Sequence, residues 1–141
     1  MEESADYIWK IVVAGTGGVG KTTLLHRYIH HTFLEDSKLT VGVQFHTQEL
    51  VRQGMRVNMV LWDLGGQKRF RFIQGDYIKG ASAAFILFDM ADPLTLENAR
   101  DEWISMIRRF TTASIPIVLV GTKMDLVSED MLRSTSVLAE H

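Results

Sequence analysis

The chain contains no cysteine, so neither a disulfide framework nor a cysteine-bound zinc cluster can hold it together. It has no run of basic residues and a formal net charge of −2, which argues against a nucleic-acid-binding surface. Its start, Met1-Glu2-Glu3-Ser4-Ala5-Asp6, is acidic and polar, unlike a secretory signal, and lacks the glycine that myristoylation requires. No apolar stretch approaches the ~18 residues of a membrane span. Internal repeats, linkers and low-complexity segments are also missing. What these absences leave is one domain over residues 1–141, 46% apolar and 23% charged, large enough to bury a core without staples. The default expectation is a cytoplasmic protein.

Gly15 to Thr22 reads GTGGVGKT, directly after the apolar run Ile11-Val12-Val13-Ala14 and before the helix-forming Thr23-Leu24-Leu25-His26-Arg27-Tyr28. This is G-x-x-x-x-G-K-[ST] between a strand and a helix, the context that gives the pattern mechanical meaning. The glycines let successive backbone N–H groups curl around a phosphate chain. Lys21 can reach the β- and γ-phosphates, and the Thr22 hydroxyl can ligate Mg²⁺. The positive end of the following helix adds to the same site. The candidate phosphate-binding set is Gly15, Gly17, Gly18, Val19, Gly20, Lys21, Thr22 and the adjoining Thr23.

Ile8 to Ala14 is nearly continuous apolar sequence and predicts a strand buried on both faces. Gly20 to His31 predicts a helix. Val43 to Val51 alternates as a half-exposed strand, Gln53-Gly54 makes a turn, and Arg56 to Trp62 returns, so the two form a hairpin. Ala83 to Asp89 and Ile115 to Gly121 read as further buried strands. Leu94 to Phe110 reads as a helix begun by Asp92-Pro93, and Ser128 to Glu140 as a last helix. The order β-α-β-β-α-β-α-β-α implies an α/β fold, a mostly parallel sheet with helices on both faces. Ligands of such sheets sit beyond the carboxyl ends of the strands.

Two more motifs fall at such ends. Trp62-Asp63-Leu64-Gly65-Gly66-Gln67 closes the third strand. Its aspartate can hold Mg²⁺ through water, a glycine N–H can meet a γ-phosphate, and Gln67 can orient an attacking water. Read alone, the same residues are also a Gly-Gly turn followed by an exposed polar side chain. Gly121-Thr122-Lys123-Met124-Asp125 closes the fifth strand. The Asp125 carboxylate can accept two hydrogen bonds from the N1–H and exocyclic amine of guanine, a donor pair that adenine lacks, and the Lys123 stem can lie over a purine ring.

With these residues in place, the chain resembles a Ras-superfamily G domain, a P-loop NTPase fold with one antiparallel edge strand. The resemblance implies that Phe33, twelve residues after Lys21, packs on the guanine edge, and that Thr40 is the threonine of the first switch, bound to Mg²⁺ and sensing the γ-phosphate. It makes Asp63 to Gln67 the second switch. The implied catalytic set is Gln67, Lys21 and Thr40, the Mg²⁺ set Thr22, Thr40 and Asp63, and the remaining nucleotide contacts Gly66, Thr122, Lys123 and Asp125. Val41-Gly42-Val43-Gln44-Phe45, Lys68-Arg69-Phe70 and Tyr77-Ile78-Lys79-Gly80-Ala81 are similar to Rab segments. Phe45, Trp62 and Tyr77 fall where Rabs carry an exposed aromatic triad that contacts effectors; ordinary packing between hairpin and helix is the alternative. The implied function is a GTP/GDP switch with Mg²⁺, slow in hydrolysis at about 10⁻⁴ to 10⁻³ per second and dependent on an activating protein and an exchange factor. Its implied location is cytoplasmic or peripheral on membranes through partners.

Several features depart from that pattern. Thr122 replaces the commoner asparagine, which predicts looser tethering between this loop and the phosphate loop. Gly65 replaces alanine and predicts a more mobile second switch. Sixteen residues follow Asp125, fewer than the final strand, guanine loop and helix of a G domain need, so a fragment with its last strand and helix missing is expected. Ser134-Thr135-Ser136 reads as surface rather than as the guanine loop. The fifth strand would then be an unprotected sheet edge. No prenylation cysteine or other membrane anchor is present in this chain, which leaves open a non-eukaryotic, for instance archaeal, relative. His26, His30 and His31 read as a solvated helix face rather than a metal site. Two other functions stay in view: a nucleotide-locked binding or scaffold module with little turnover, and an ATPase or kinase, which Lys123-x-Asp125 disfavours.

Overall fold

Successive side chains of a strand point to opposite faces, and in β1 (Tyr7–Ala14) both faces become apolar. Ile11 and Val13 enter one buried cluster, Val12 and Ala14 the other. The structure, a computed structural model, describes residues 4–33, 42–68, 71–112, 114–130 and 133. β2 (Val43–Arg52) runs antiparallel to β3 (Met55–Leu64), which lies parallel to β1, and β4 (Ala83–Asp89) and β5 (Ile117–Thr122) follow in parallel on the other side. The sheet order is β2-β3-β1-β4-β5. Gln53 and Gly54, with φ of 52 and 78, make the tight turn expected between β2 and β3.

α1 (Lys21–His30) covers the Ile11/Val13 face through Leu25. The opposite face receives Ile78 of α2 (Arg71–Ile78) and a long helical run: α3 (Pro93–Asn98), a π-helical stretch (Ala99–Ile104) and α4 (Ser105–Phe110). Leu96, Ala99, Trp103 and Ile107 bury against Val12, Ala84 and Ile86. Asp92 caps this run through Leu94 N at 3.2 Å, with Pro93 in the first turn. Among the described residues, no helix is long and apolar enough to cross a membrane.

Three expectations need correction. The first half of β1 is exposed at Tyr7, Ile8 and Trp9, because β4 joins β1 only from Ile11 onward and leaves these residues with β3 as their one sheet neighbour. β5 is half-exposed rather than buried, with Val118 46% accessible, since among the described residues it has a sheet partner on one side only. The helix expected over 94–110 changes winding in its middle. Of the helix expected over 128–140, only 128–130 and 133 are described; Ser134, Thr135 and Ser136 lie outside the described residues.

Gly75 of α2 faces the Phe110 ring so closely that an added Cβ would stand 2.5 Å from it. Alanine in a helix normally stabilises relative to glycine by up to ~1 kcal/mol. At this position overpacking should win, and Gly75→Ala should destabilise by about 1–3 kcal/mol in urea unfolding. A neutral or stabilised variant would mean that the helices are not packed this tightly.

Candidate functional site

The loop between β1 and α1 turns under the carboxyl end of the sheet. Gly15 adopts φ 145, and a Cβ there would run into the Leu87 carbonyl. Gly20, at φ 100, begins α1 without a side-chain cap, and no acidic residue occupies the first turn. The first N–H groups of α1 therefore meet no carboxylate from their own turn, the arrangement that suits an anion. Lys21 is 5% exposed, and its Nζ donates to the carbonyls of Gly15 (2.8 Å) and Thr16 (3.0 Å). Burial pushes its pKa down from 10.5 to about 8; Asp63 acts upward and Arg71 further downward.

Thr22 Oγ1 donates to Asp63 Oδ2 at 2.7 Å, joining the first turn of α1 to the end of β3. These hard oxygen donors, with the Asp63 side chain fully buried, fit a Mg²⁺ ion that keeps water and phosphate oxygens as its other ligands. Gly66 is seated against the phosphate loop, and a Cβ on it would overlap Gly17 N and Gly15 O. Gly65, expected to loosen this segment, is held on both sides: its N–H donates to Gly42 O at 2.7 Å, and its carbonyl accepts from Gln74 Nε2. Gln67 follows, half-buried. Thr40 lies outside the described residues.

Thr122, expected to tether the base-end loop to the phosphate loop more loosely than asparagine, does bond to it. Thr122 Oγ1 lies 2.6 Å from Val19 O and 3.0 Å from Phe88 O, so the shorter threonine still spans the gap. Lys123, a non-glycine residue at φ 59, reaches Gly18 O at 2.9 Å and Asp89 Oδ2 at 2.8 Å. Such backbone conformations persist where surrounding contacts over-determine them. Asp125 is exposed on a short 3₁₀ turn (Met124–Leu126) beside this strand end, and Phe33 is 70% exposed beyond α1.

Phe45, Trp62 and Tyr77 form one continuous aromatic surface. The Phe45 and Trp62 rings meet edge-on at 4.5 Å, and Trp62 and Tyr77 lie 5.9 Å apart. Trp62 and Tyr77 also pack on the core, as the packing alternative expects. Phe45 remains 53% exposed.

Asp89 and Gln74 escaped the reading of the sequence. The signal for Asp89 was an acid at the carboxyl end of a buried strand, the place where ligand-facing residues collect. Gln74 offered no such signal, because among the described residues its partner is a backbone carbonyl nine positions away.

The Lys21 shift has a defined sign. Between pH ~8 and 10.5 the unfolded chain keeps a proton that the fold has released, so stability rises with pH across this window. Lys21→Met removes that dependence. The variant should exceed the wild type in denaturant midpoint most below pH 8, with the gap closing towards pH 10.5; a constant gap would refute the buried-ammonium account.

A sequence model of the Ras family matches residues 10–140. Among curated proteins, the chain is 39% identical over 125 residues to Ras-related protein RABA2a of Arabidopsis thaliana, covering 89% of this chain and 57% of that protein. It is 39% identical over 126 residues to Ras-related protein RABA3 of the same plant, covering 89% of this chain and 53% of that one. The chain thus spans little more than half the length of these relatives. A glycine loop that hooks a buried lysine, a threonine–aspartate pair beside it and a base-end loop tied back to it agree with that match: the chain belongs to the Ras family.

Proposed function

We propose that this chain is a GTP-binding switch that hydrolyses GTP slowly and passes its state to effector proteins. The observation that carries the reading is the meeting of Lys21, Thr22 and Asp63 at one strand end, with Thr122 and Lys123 fastened to the same loop. Lys21 and the N–H groups of residues 17–22 bind the phosphates, with Gly15 and Thr23 completing the loop's two ends. Thr22 and Thr40, with Asp63 behind a water, would hold Mg²⁺, which would supply charge neutralisation at the phosphates. Gln67 orients the water that attacks. Asp125 reads the guanine edge while Lys123 and Phe33 flank the ring.

The switch element is the contact of Gly66 with the phosphate loop. The Gly66 N–H meets the γ-phosphate when GTP is bound and is released when that phosphate is lost, so Gly66 and the segment behind it shift with nucleotide state. Gly65 N to Gly42 O ties that segment to the start of β2, which carries the change towards Phe45, Trp62 and Tyr77. Effectors of the GTP state dock on that aromatic surface. An activating protein and an exchange factor complete the cycle, and partners recruit the chain to membranes.

Gln67→Leu should bind GTP near-normally and hydrolyse it on the order of tenfold or more slowly in single turnover. Turnover equal to wild type would remove Gln67 from the mechanism. Asp125→Asn should shift preference from guanine towards xanthine nucleotides in competition binding; unchanged selectivity would refute the base-reading role.

A further inference from the structure

The π-helical stretch Ala99–Ile104 is unusual, and such windings are frequent at functional sites. Three side chains around it reach the two halves of the site. Asn98, just before it, donates from Nδ2 to Thr16 Oγ1 of the phosphate loop at 3.3 Å. Glu102 accepts from Arg71 Nη1. Trp103 stacks against the same guanidinium, whose central carbon is 4.7 Å from the ring centroid. Positions four and five after Asn98 both follow it one turn on as the winding changes from α to π, so Glu102 and Trp103 together flank one arginine.

Arg71 opens α2, four residues after Gln67. Upstream of Gln67, Gly66 is seated on the phosphate loop. Gln67 therefore lies in a short span between two anchors, and both refer to the phosphate loop: Gly66 directly, Arg71 through the long helix and Asn98. A cation at a helix N-terminus opposes the helix dipole, and α2 has no acidic residue in its own first turn. Glu102 supplies that counter-charge from a different helix.

The Arg71 side chain is 17% exposed and that of Glu102 33%. Among the described residues, Arg71 Nε and Trp103 Nε1 are buried with no hydrogen-bond partner. Desolvation offsets much of the attraction in such a pair, and a well-packed apolar pair can match or exceed its stability. What the ion pair adds is a fixed direction for the guanidinium.

We propose that Arg71, Glu102 and Trp103 form a clasp that positions Gln67 for GTP hydrolysis, with Asn98 setting the clasp's helix against the phosphate loop. The inference rests on the GTPase reading above. Arg71, Glu102 and Asn98 are positioning residues; none has to touch the nucleotide.

The test is single-turnover GTP hydrolysis, GDP affinity and thermal unfolding of the full chain and three variants: Glu102→Gln, the swap Arg71→Glu with Glu102→Arg, and the apolar pair Arg71→Met with Glu102→Leu. Glu102→Gln should hydrolyse roughly three- to thirty-fold more slowly with unchanged GDP affinity. The swap should recover much of the loss. The apolar pair should melt no earlier than wild type and still hydrolyse slowly, which a purely structural role does not produce; if it is unstable, Glu102→Gln and the swap decide. Wild-type rates in Glu102→Gln overturn the inference. So do faster rates, which would mean that a released Arg71 acts on the phosphates itself, and so does a swap as slow as Glu102→Gln. A wild type that does not hydrolyse GTP overturns the functional reading and this inference together, whereas wild-type turnover with unaffected variants overturns the inference alone.

Discussion

Lys21 places an ammonium group where little water reaches, and its two carbonyl partners, at 2.8 and 3.0 Å, carry no formal charge to balance it. Burial pushes its pKa down to about 8. Asp63 offsets part of it from the end of β3, and an anion in the loop would offset the rest. The surrounding structure follows from this need: a strand and helix that meet at a turn built on Gly15, a carboxylate delivered by the neighbouring strand, and a helix whose first turn holds no acid. An anionic ligand would balance the charge that the loop encloses.

Three separate elements fasten themselves to the same loop. β3 does so through Asp63, with Gly66 just beyond it, β5 through Thr122 and the adjoining Lys123, and the long helix through Asn98. Each contact uses loop backbone or a loop hydroxyl, so the position of the loop is tied to three other parts of the chain. The segment after β3 makes the closest approach, so that a Cβ at position 66 would overlap the loop backbone. The Arg71 clasp extends this dependence to the segment that carries Gln67.

Features written in contiguous residues were legible in the sequence. GTGGVGKT, the Gln53-Gly54 turn, the Asp92-Pro93 helix start and the residues of the base-end loop need only local geometry, and each appears where its neighbours predict it. Features set by tertiary approach were not. Whether threonine at 122 can reach Val19 depends on how close two loops 103 residues apart come, and here it does reach. Gly65 looked free by itself, but Gly42 and Gln74 hold it. The exposed start of β1 follows from where β4 begins to pair, which apolar composition does not encode. The π winding at Ala99–Ile104 lies inside a pattern that reads as ordinary helix, because the buried Ala99, Trp103 and Ile107 keep helical spacing across it.

The account stands on guanine-nucleotide binding at the Lys21 loop. Titration of the chain with GTP and with ATP, each with Mg²⁺, tests it most directly. The prediction is GTP binding that disappears when Mg²⁺ is chelated, with ATP far weaker, because Asp125 finds no matching donor pair on adenine. Equal affinity for the two nucleotides, or no binding of either, would contradict it.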